Sequence, residues 1–268
     1  MATLPAILEF GIRRNLRVLN AKVRGVFHAT FQRVLGGFGS SYKMGPQTSV
    51  YGTKFASNFS DKTFRYCLYG TYGKRFANYL AAQTEPFIFL DVGANQGLFT
   101  MVAAQNPYCV KAIALEPVSR THALLAENAE LNGVADKTVT VQVALSDAEG
   151  TAEIATKSNH SGVASLHREP HQSRGQTETI RLISAKSLDT YLPDETRIIV
   201  KVDVEGHEAV VIDELLRSAR ASQMVTIFHE MDERWTDADQ IRAMLERAGY
   251  SRFEKWGIGR HYDVLAER

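Results

Sequence analysis

The chain has 268 residues, 44% of them hydrophobic, and a formal net charge of +1, enough for one large α/β domain with an extension. Its two cysteines, Cys67 and Cys109, exclude a disulfide framework, and no apolar stretch approaches the roughly 20 residues of a membrane span. Residues 1–85 carry 12 Lys/Arg against three acids, Glu9, Asp61 and Glu85 (net +9), whereas the remainder carries 19 against 27 (net −8), so the first segment reads either as a surface for something anionic or as a solvated basic face.

Residues 12–35 read as an amphipathic helix, with Leu16, Leu19, Val23, Val26 and Val34 at three- and four-residue spacings beside Phe27 and Phe31. Arg13, Arg17, Arg24 and His28 gather toward another side. Such a helix packs on the body of the protein, pairs with a second copy, or lies on a membrane interface. Gly36-Gly37 and Gly39-Ser40-Ser41 break the pattern, and a second helical stretch covers 73–83. The expected division is a basic, mainly helical extension over 1–85 and a main domain over 86–268. The N-terminus shows no charged region, apolar run and cleavage site of a signal peptide, and unpaired cysteines fit a reducing compartment, so a cytoplasmic location is expected, with peripheral membrane contact left open.

From residue 86 strands and helices alternate. The run Phe87-Ile88-Phe89-Leu90-Asp91-Val92 reads as a fully buried strand and 98–104 as the helix after it. A strand over 110–115, a helix over 119–131 closed by Asn132-Gly133, and a third strand over 138–145 follow. After further strand pieces and a short helix near 189–191 come a buried strand over 198–204, a helix over 208–220, a strand over 224–228 and a helix over 237–248. Two short strands, 252–256 and 262–265, end the chain. This alternation predicts an α/β fold: a mainly parallel, Rossmann-like sheet with helices on both faces.

The strongest chemical signal is Asp91-Val92-Gly93-Ala94-Asn95-Gln96-Gly97, where the first buried strand hands over to a helix. Ligands of open parallel sheets bind at the carboxyl ends of strands, and glycine there permits close backbone approach. The spacing is not the three-glycine dinucleotide fingerprint. An acid at the strand end repels a phosphate but suits an ammonium, such as that of S-adenosylmethionine. Glu116, 25 residues after Asp91, ends the second strand and can accept both hydroxyls of a ribose. NAD enzymes use an acid at the same place. Ala144-Leu145-Ser146 ends the third strand, where an adenine edge is expected. An ordinary tight turn would explain Gly93 and Gly97 alone, but not together with acids at two successive strand ends.

These residues, in this order, resemble the FkbM family of methyltransferases. The resemblance runs over roughly 60–255 and rests on D-x-G-A-N-x-G at 91–97, Glu116-Pro117, Glu127-Asn128 through Asn132-Gly133, and A-L-S-D-x-x-G at 144–150. It continues through G-x-A-S-L at 162–166, S-L-D at 187–189 and K-x-D-x-E-G-x-E at 201–208. Upstream, Gly70-Thr71-Tyr72 is followed by Gly73 where family members often have an acid. The resemblance implies a class I methyltransferase sheet, S-adenosylmethionine as cofactor, and O-methylation of sugars, glycans or natural-product hydroxyls.

The block Ile198 to Glu205 is chemically odd, because alternation places Lys201, Asp203 and Glu205 on one face of a strand expected to be apolar on both. Burying three charges is costly unless they are paired or used. One reading is a Lys201–Asp203 ion pair without chemical role. The other makes Asp203 the base that takes a hydroxyl proton, with Lys201 orienting it and Glu205 and His207 in reserve. His229-Glu230 ends the next strand and could reach the same cleft, although His229 is better read as a satisfied structural residue. The Pro-Pro-aromatic group that stacks bases in exocyclic-amine methylation is missing at this strand end, so no nucleic-acid partner is expected.

The loop over 158–176, with His160, His167, Arg168, His171 and Arg174, reads as a substrate cover or a solvated loop. Pro170 disfavours a helix that would pair His167 with His171, and no metal site is expected. Two other classes compete: an NAD-dependent oxidoreductase, weakened by the absent fingerprint, and a non-catalytic partner- or membrane-binding protein, weakened by the intact acids Asp91, Glu116 and Asp203.

Overall fold

The computed structural model describes residues 45–156, 160–163, 176–194 and 196–268. The helix expected over 12–35 and most of the loop expected over 158–176 lie outside the described residues.

Strands β1 (Gln47–Thr48) and β2 (Lys54–Phe55) form a small antiparallel ribbon, followed by helices α1 (Lys62–Tyr69) and α2 (Lys74–Ala81). The sequence reading missed α1. Its capping is nevertheless ordinary: Asp61 accepts from the Phe64 N–H, and Gly70 ends the helix in the left-handed region at φ 66°. Next come β3 (Phe87–Val92), α3 (Leu98–Gln105), β4 (Cys109–Leu115), α4 (Ser119–Leu131) and β5 (Thr138–Val141). The single strand expected over 138–145 is broken, because the Val143 N–H turns back onto the Val141 carbonyl. The chain then leaves the main sheet and builds a second one from β6 (Ala144–Leu145), β7 (Gly150–Thr156) and β8 (Gln176–Ile183), in the order β6-β8-β7. The remaining elements are α5 (Ala185–Leu188), β9 (Ile198–Val202), α6 (Glu208–Arg217), β10 (Met224–Asp232), α7 (Ala238–Arg247), β11 (Arg252–Trp256) and β12 (His261–Glu267).

The main sheet runs β11-β12-β10-β9-β3-β4-β5. The strands from β5 to β10 are parallel, and β12 is antiparallel to both of its neighbours. A connection of four residues, 257–260, joins β11 to β12, too short for the crossover that a parallel pair needs. Period-two alternation sorts the core into two layers. From β3, Phe87 and Phe89 enter one layer with Phe76, Phe99 and Phe228, while Ile88, Leu90 and Val92 enter the other with Val200, Val211, Ile227 and Leu245.

Residues 45–85 belong to the first layer. Phe55, Phe64, Phe76 and Leu80 are fully buried there, and Phe76 stacks on Phe228 with ring centroids 4.0 Å apart. Such a pair is worth about 0.5–1.5 kcal/mol beyond its buried area. The boundary expected at residue 85 therefore does not separate two cores among the described residues.

Candidate active site

The order of the sheet reverses at β3, which has β4 on one side and β9 on the other, and the crevice above their carboxyl ends is the expected ligand position. A cavity of about 620 Å³ opens there. Its floor is the turn after β3. Gly93 holds φ 74°, and a Cβ added to it would lie 1.9 Å from the Asp203 carbonyl oxygen, so only glycine lets the turns after β3 and β9 touch. Gly97 holds φ 86° at the start of α3, where a Cβ would meet Leu125 Cδ1 at 2.5 Å. Between them Asn95 takes a left-handed conformation at φ 51°, rare for a residue with a side chain. Its N–H donates to Glu116 Oε2 at 2.9 Å, and its Oδ1 accepts from Ser161 Oγ at 2.9 Å.

Glu116 stands at the end of β4 with Oε1 accepting the Val118 N–H at 3.0 Å. Each carboxylate oxygen thus spends one lone pair on the backbone and keeps capacity for a ligand hydroxyl. Burial pushes the carboxyl up to about 7, against the pull of those two N–H groups. Beside it Pro117, Ala144 and Leu145 line the cavity, joined by Ile154 and Ile180 from the second sheet. Neither isoleucine was foreseen, because the sequence does not reveal that β7 and β8 fold over this end.

Asp91 departs from its expected role. Its side chain does not line the cavity, is fully buried, accepts from Thr100 Oγ1 at 2.6 Å and pairs with Lys201 Nζ at 3.2 Å. It therefore braces Lys201 rather than meeting an ammonium directly. Gly97 and Ser146 also lie behind the lining, the former at a helix start and the latter buried with its hydroxyl near Asp147 and His207. Gly93, Ala94 and Asn95 do line the cavity.

At the other end stands the charged block. β9 stops at Val202, two residues before the expected end. Lys201 is buried on it and reaches the Gly93 carbonyl at 2.5 Å, Asp91 at 3.2 Å and Asp203 Oδ2 at 3.7 Å. Burial alone would lower its ammonium, but the two carboxylates outweigh that and hold it above the ordinary lysine value. Asp203 Oδ2 also accepts from the Tyr72 hydroxyl at 2.7 Å. Glu205 follows in a left-handed conformation at φ 53°. Asp203, Glu205 and Glu230 bring a carboxylate oxygen each within 4.8 Å of one another, a spacing that could hold a cation, although Glu230 already pairs with His261 Nε2 at 2.7 Å. Burial, then the neighbouring acids, push Glu205 up to about 8 and Asp263 to about 7. The Glu230 pairing, first of the causes, lifts His261 to about 9. His229 is buried away from the cavity with its ring against the Glu230 carbonyl, and burial lowers it to about 4. It is structural, as the sequence reading preferred. His207 lines the cavity next to Ser146. Trp235, 56% exposed, completes the rim with Asp232 and Arg234. Trp235 was missed as a site residue, since nothing in the local pattern marks it as facing a cavity, and Tyr72 was quoted only within the upstream Gly70-Thr71-Tyr72 stretch, without a role of its own.

The family model described as the methyltransferase FkbM domain matches residues 91–252. Methyltransferase sdnD from Sordaria araneosa is 27% identical over 197 residues, covering 62% of this chain and 74% of that protein. Among solved structures, the chain is similar to the METTL16 methyltransferase domain, at 11% identity and a TM-score of 0.49 over 81% of this chain and 74% of that one. It is also similar to TrmK of M. capricolum in complex with S-adenosyl-homocysteine, at 13% identity and a TM-score of 0.44 over 73% and 70%. The family match spans more than half of the sequence, from the end of β3 to the start of β11, and on that ground the chain belongs to the FkbM family of S-adenosylmethionine-dependent methyltransferases.

Proposed function

We propose that this protein methylates a hydroxyl of a sugar, a glycan or a glycosylated natural product. The observation that carries the reading is the composition of the acceptor end: Asp203, Glu205, Glu230 and Asp232 beside the exposed indole of Trp235. Carboxylates accept hydrogen bonds from the hydroxyls of a polyol, and an indole face covers the apolar C–H side of a pyranose ring. When bound, S-adenosylmethionine supplies an electrophilic methyl group. Its nucleoside would rest on Glu116, Leu145, Ile154 and Ile180, and its amino-acid end on the Gly93-Ala94-Asn95 turn, with Pro117 beside the sugar.

The chain's own residues then have three tasks. Glu116 orients the nucleoside through its two free acceptor positions. Lys201, fixed by Asp91 and the Gly93 carbonyl, sets the position of Asp203. Asp203 takes the proton from the acceptor hydroxyl, with Glu205 as the neighbouring acid. The cavity walls hold the hydroxyl at near-attack distance.

The deciding experiment is a methyl-donor turnover screen over nucleotide sugars, oligosaccharides and lipid-linked glycans, run on wild type and Asp203→Asn. Turnover of the best acceptor should fall by roughly 10²- to 10⁴-fold in the variant, with donor affinity nearly unchanged. Collapse of donor binding with near-normal residual turnover would make Asp203 a donor ligand instead. For the basic segment over 12–35 we propose peripheral membrane contact or self-association, on its sequence pattern alone. Equal sedimentation of full-length protein and a form lacking residues 1–40 with anionic liposomes at low salt would dismiss membrane contact. Among the described residues no helix is long and apolar enough to cross a membrane.

A further inference from the structure

Tyr72 comes from outside the span matched by the family model, in the short connection between α1 and α2. The connection is bracketed by Gly70 at φ 66° and Gly73 at φ 73°, both left-handed. A Cβ on Gly73 would meet Phe99 Cζ at 2.5 Å, so the connection is pressed against α3. The Tyr72 ring packs on Phe99 with centroids 5.7 Å apart, and its carbonyl accepts from the Tyr51 hydroxyl. Phe99 thus packs on the ring and Tyr51 ties down the backbone behind it, and the Tyr72 hydroxyl points at the reaction end of the cavity.

We infer that Tyr72 is a positioning residue for Asp203: its hydroxyl and the Lys201 ammonium hold the carboxylate through one oxygen and leave the other to take the acceptor's proton. This rests on the reading of Asp203 as the base. Both contacts fall on Oδ2, the hydroxyl at 2.7 Å and the ammonium at 3.7 Å. A carboxylate anchored through one oxygen cannot rotate to spend both on neighbours. The surroundings make such an anchor necessary. Glu205 from the following turn, Glu230 from β10, Asp263 from β12 and Glu208 from α6 all act on or beside Asp203 as like charges, and Cys67 of α1 lies within the same field. Against them stand Lys201 and the Tyr72 hydroxyl, with His261 balancing Glu230. Burial, then the Asp203 charge, raises the Tyr72 phenol well above its usual value, so it stays protonated and remains a donor.

The test compares wild type, Tyr72→Phe, Tyr51→Phe and Asp203→Asn on the best acceptor of the turnover screen. It reads kcat, KM, donor affinity and the pH dependence of kcat/KM. Loss of a hydrogen bond to a charged group should lower kcat about tenfold or more in Tyr72→Phe, with KM and donor affinity within about twofold. The acid limb of the profile, a macroscopic property of the whole cluster, should move up, because the cluster loses a hydrogen bond to its ionised form. Tyr51→Phe loosens the same connection without touching Asp203 and should leave the limb in place. Should Tyr72→Phe fail to fold, 3-fluorotyrosine placed at position 72 keeps the ring, strengthens donation and should move the limb downward. An unmoved limb and unchanged kcat in a folded Tyr72→Phe, alongside an impaired Asp203→Asn, overturn the positioning role and leave the base assignment intact. Wild-type turnover in Asp203→Asn overturns the base assignment itself.

Discussion

Replacing Glu116 by alanine removes a group that does two jobs. Its oxygens accept the Asn95 and Val118 N–H groups at 2.9 and 3.0 Å, and we propose that the acceptor position left on each holds the ribose of the donor. A hydrogen bond to a charged group is worth roughly 1.5–3 kcal/mol, and each 1.4 kcal/mol is about tenfold in affinity. Loss of one ribose contact should therefore weaken donor binding at least about tenfold, and loss of both about 10²-fold or more. The two backbone donors lose their partner as well, and Asn95 loses what holds it at φ 51°, so the variant should also unfold more easily, by about 1–3 kcal/mol. Calorimetry with S-adenosylhomocysteine, paired with thermal unfolding, separates the two effects. Glu116→Gln is the companion, since it keeps one oxygen and the shape of the side chain and should fall between wild type and alanine. Unchanged affinity in a folded Glu116→Ala would mean that the ribose lies elsewhere, and the argument from strand ends would fail.

Lys201→Met should destabilise the fold by about 3–5 kcal/mol in denaturant titration, because it leaves the fully buried Asp91 charge without its ion-pair partner; a loss below about 1 kcal/mol would show that Thr100 alone suffices. Trp235→Ala should raise KM for a glycoside acceptor several-fold with donor affinity intact, as expected for an exposed rim side chain; an equal KM removes the indole from the acceptor site. Stability without ligand should fall as pH rises from about 6.5 to about 8. Glu116, Glu205 and Asp263, raised to about 7, 8 and 7, keep protons that the unfolded chain has already lost, and His261, raised to about 9, acts in the same direction. His229, lowered to about 4 from 6.5, works the opposite way, but between about 4 and 6.5, below that window. A urea midpoint that rises over this range would contradict the burial of these acids.

The sequence alone determined the frame of the molecule. Runs such as Phe87–Val92 and Ile198–Val202 are apolar apart from Asp91 and Lys201, which admits little besides buried parallel strands, and the helices between them follow from amphipathic spacing. It also singled out the turn after β3, Glu116 and the charged block, because charges inside an apolar strand and glycines at a strand end are anomalies that pattern exposes. Tertiary structure decided the rest. Whether Asp91 faces the ligand or the core depends on Lys201 and Thr100, which reach it from other elements. The break after Val141 has no glycine or proline to announce it, since it arises from packing of the second sheet against the cavity. Tyr72 meets Asp203 across 131 residues of sequence, and the Trp235 loop reaches the rim only because β10 runs four residues past its expected end. Local pattern encodes which residues are buried or repeated, whereas contacts between distant segments exist only once the chain has closed on itself.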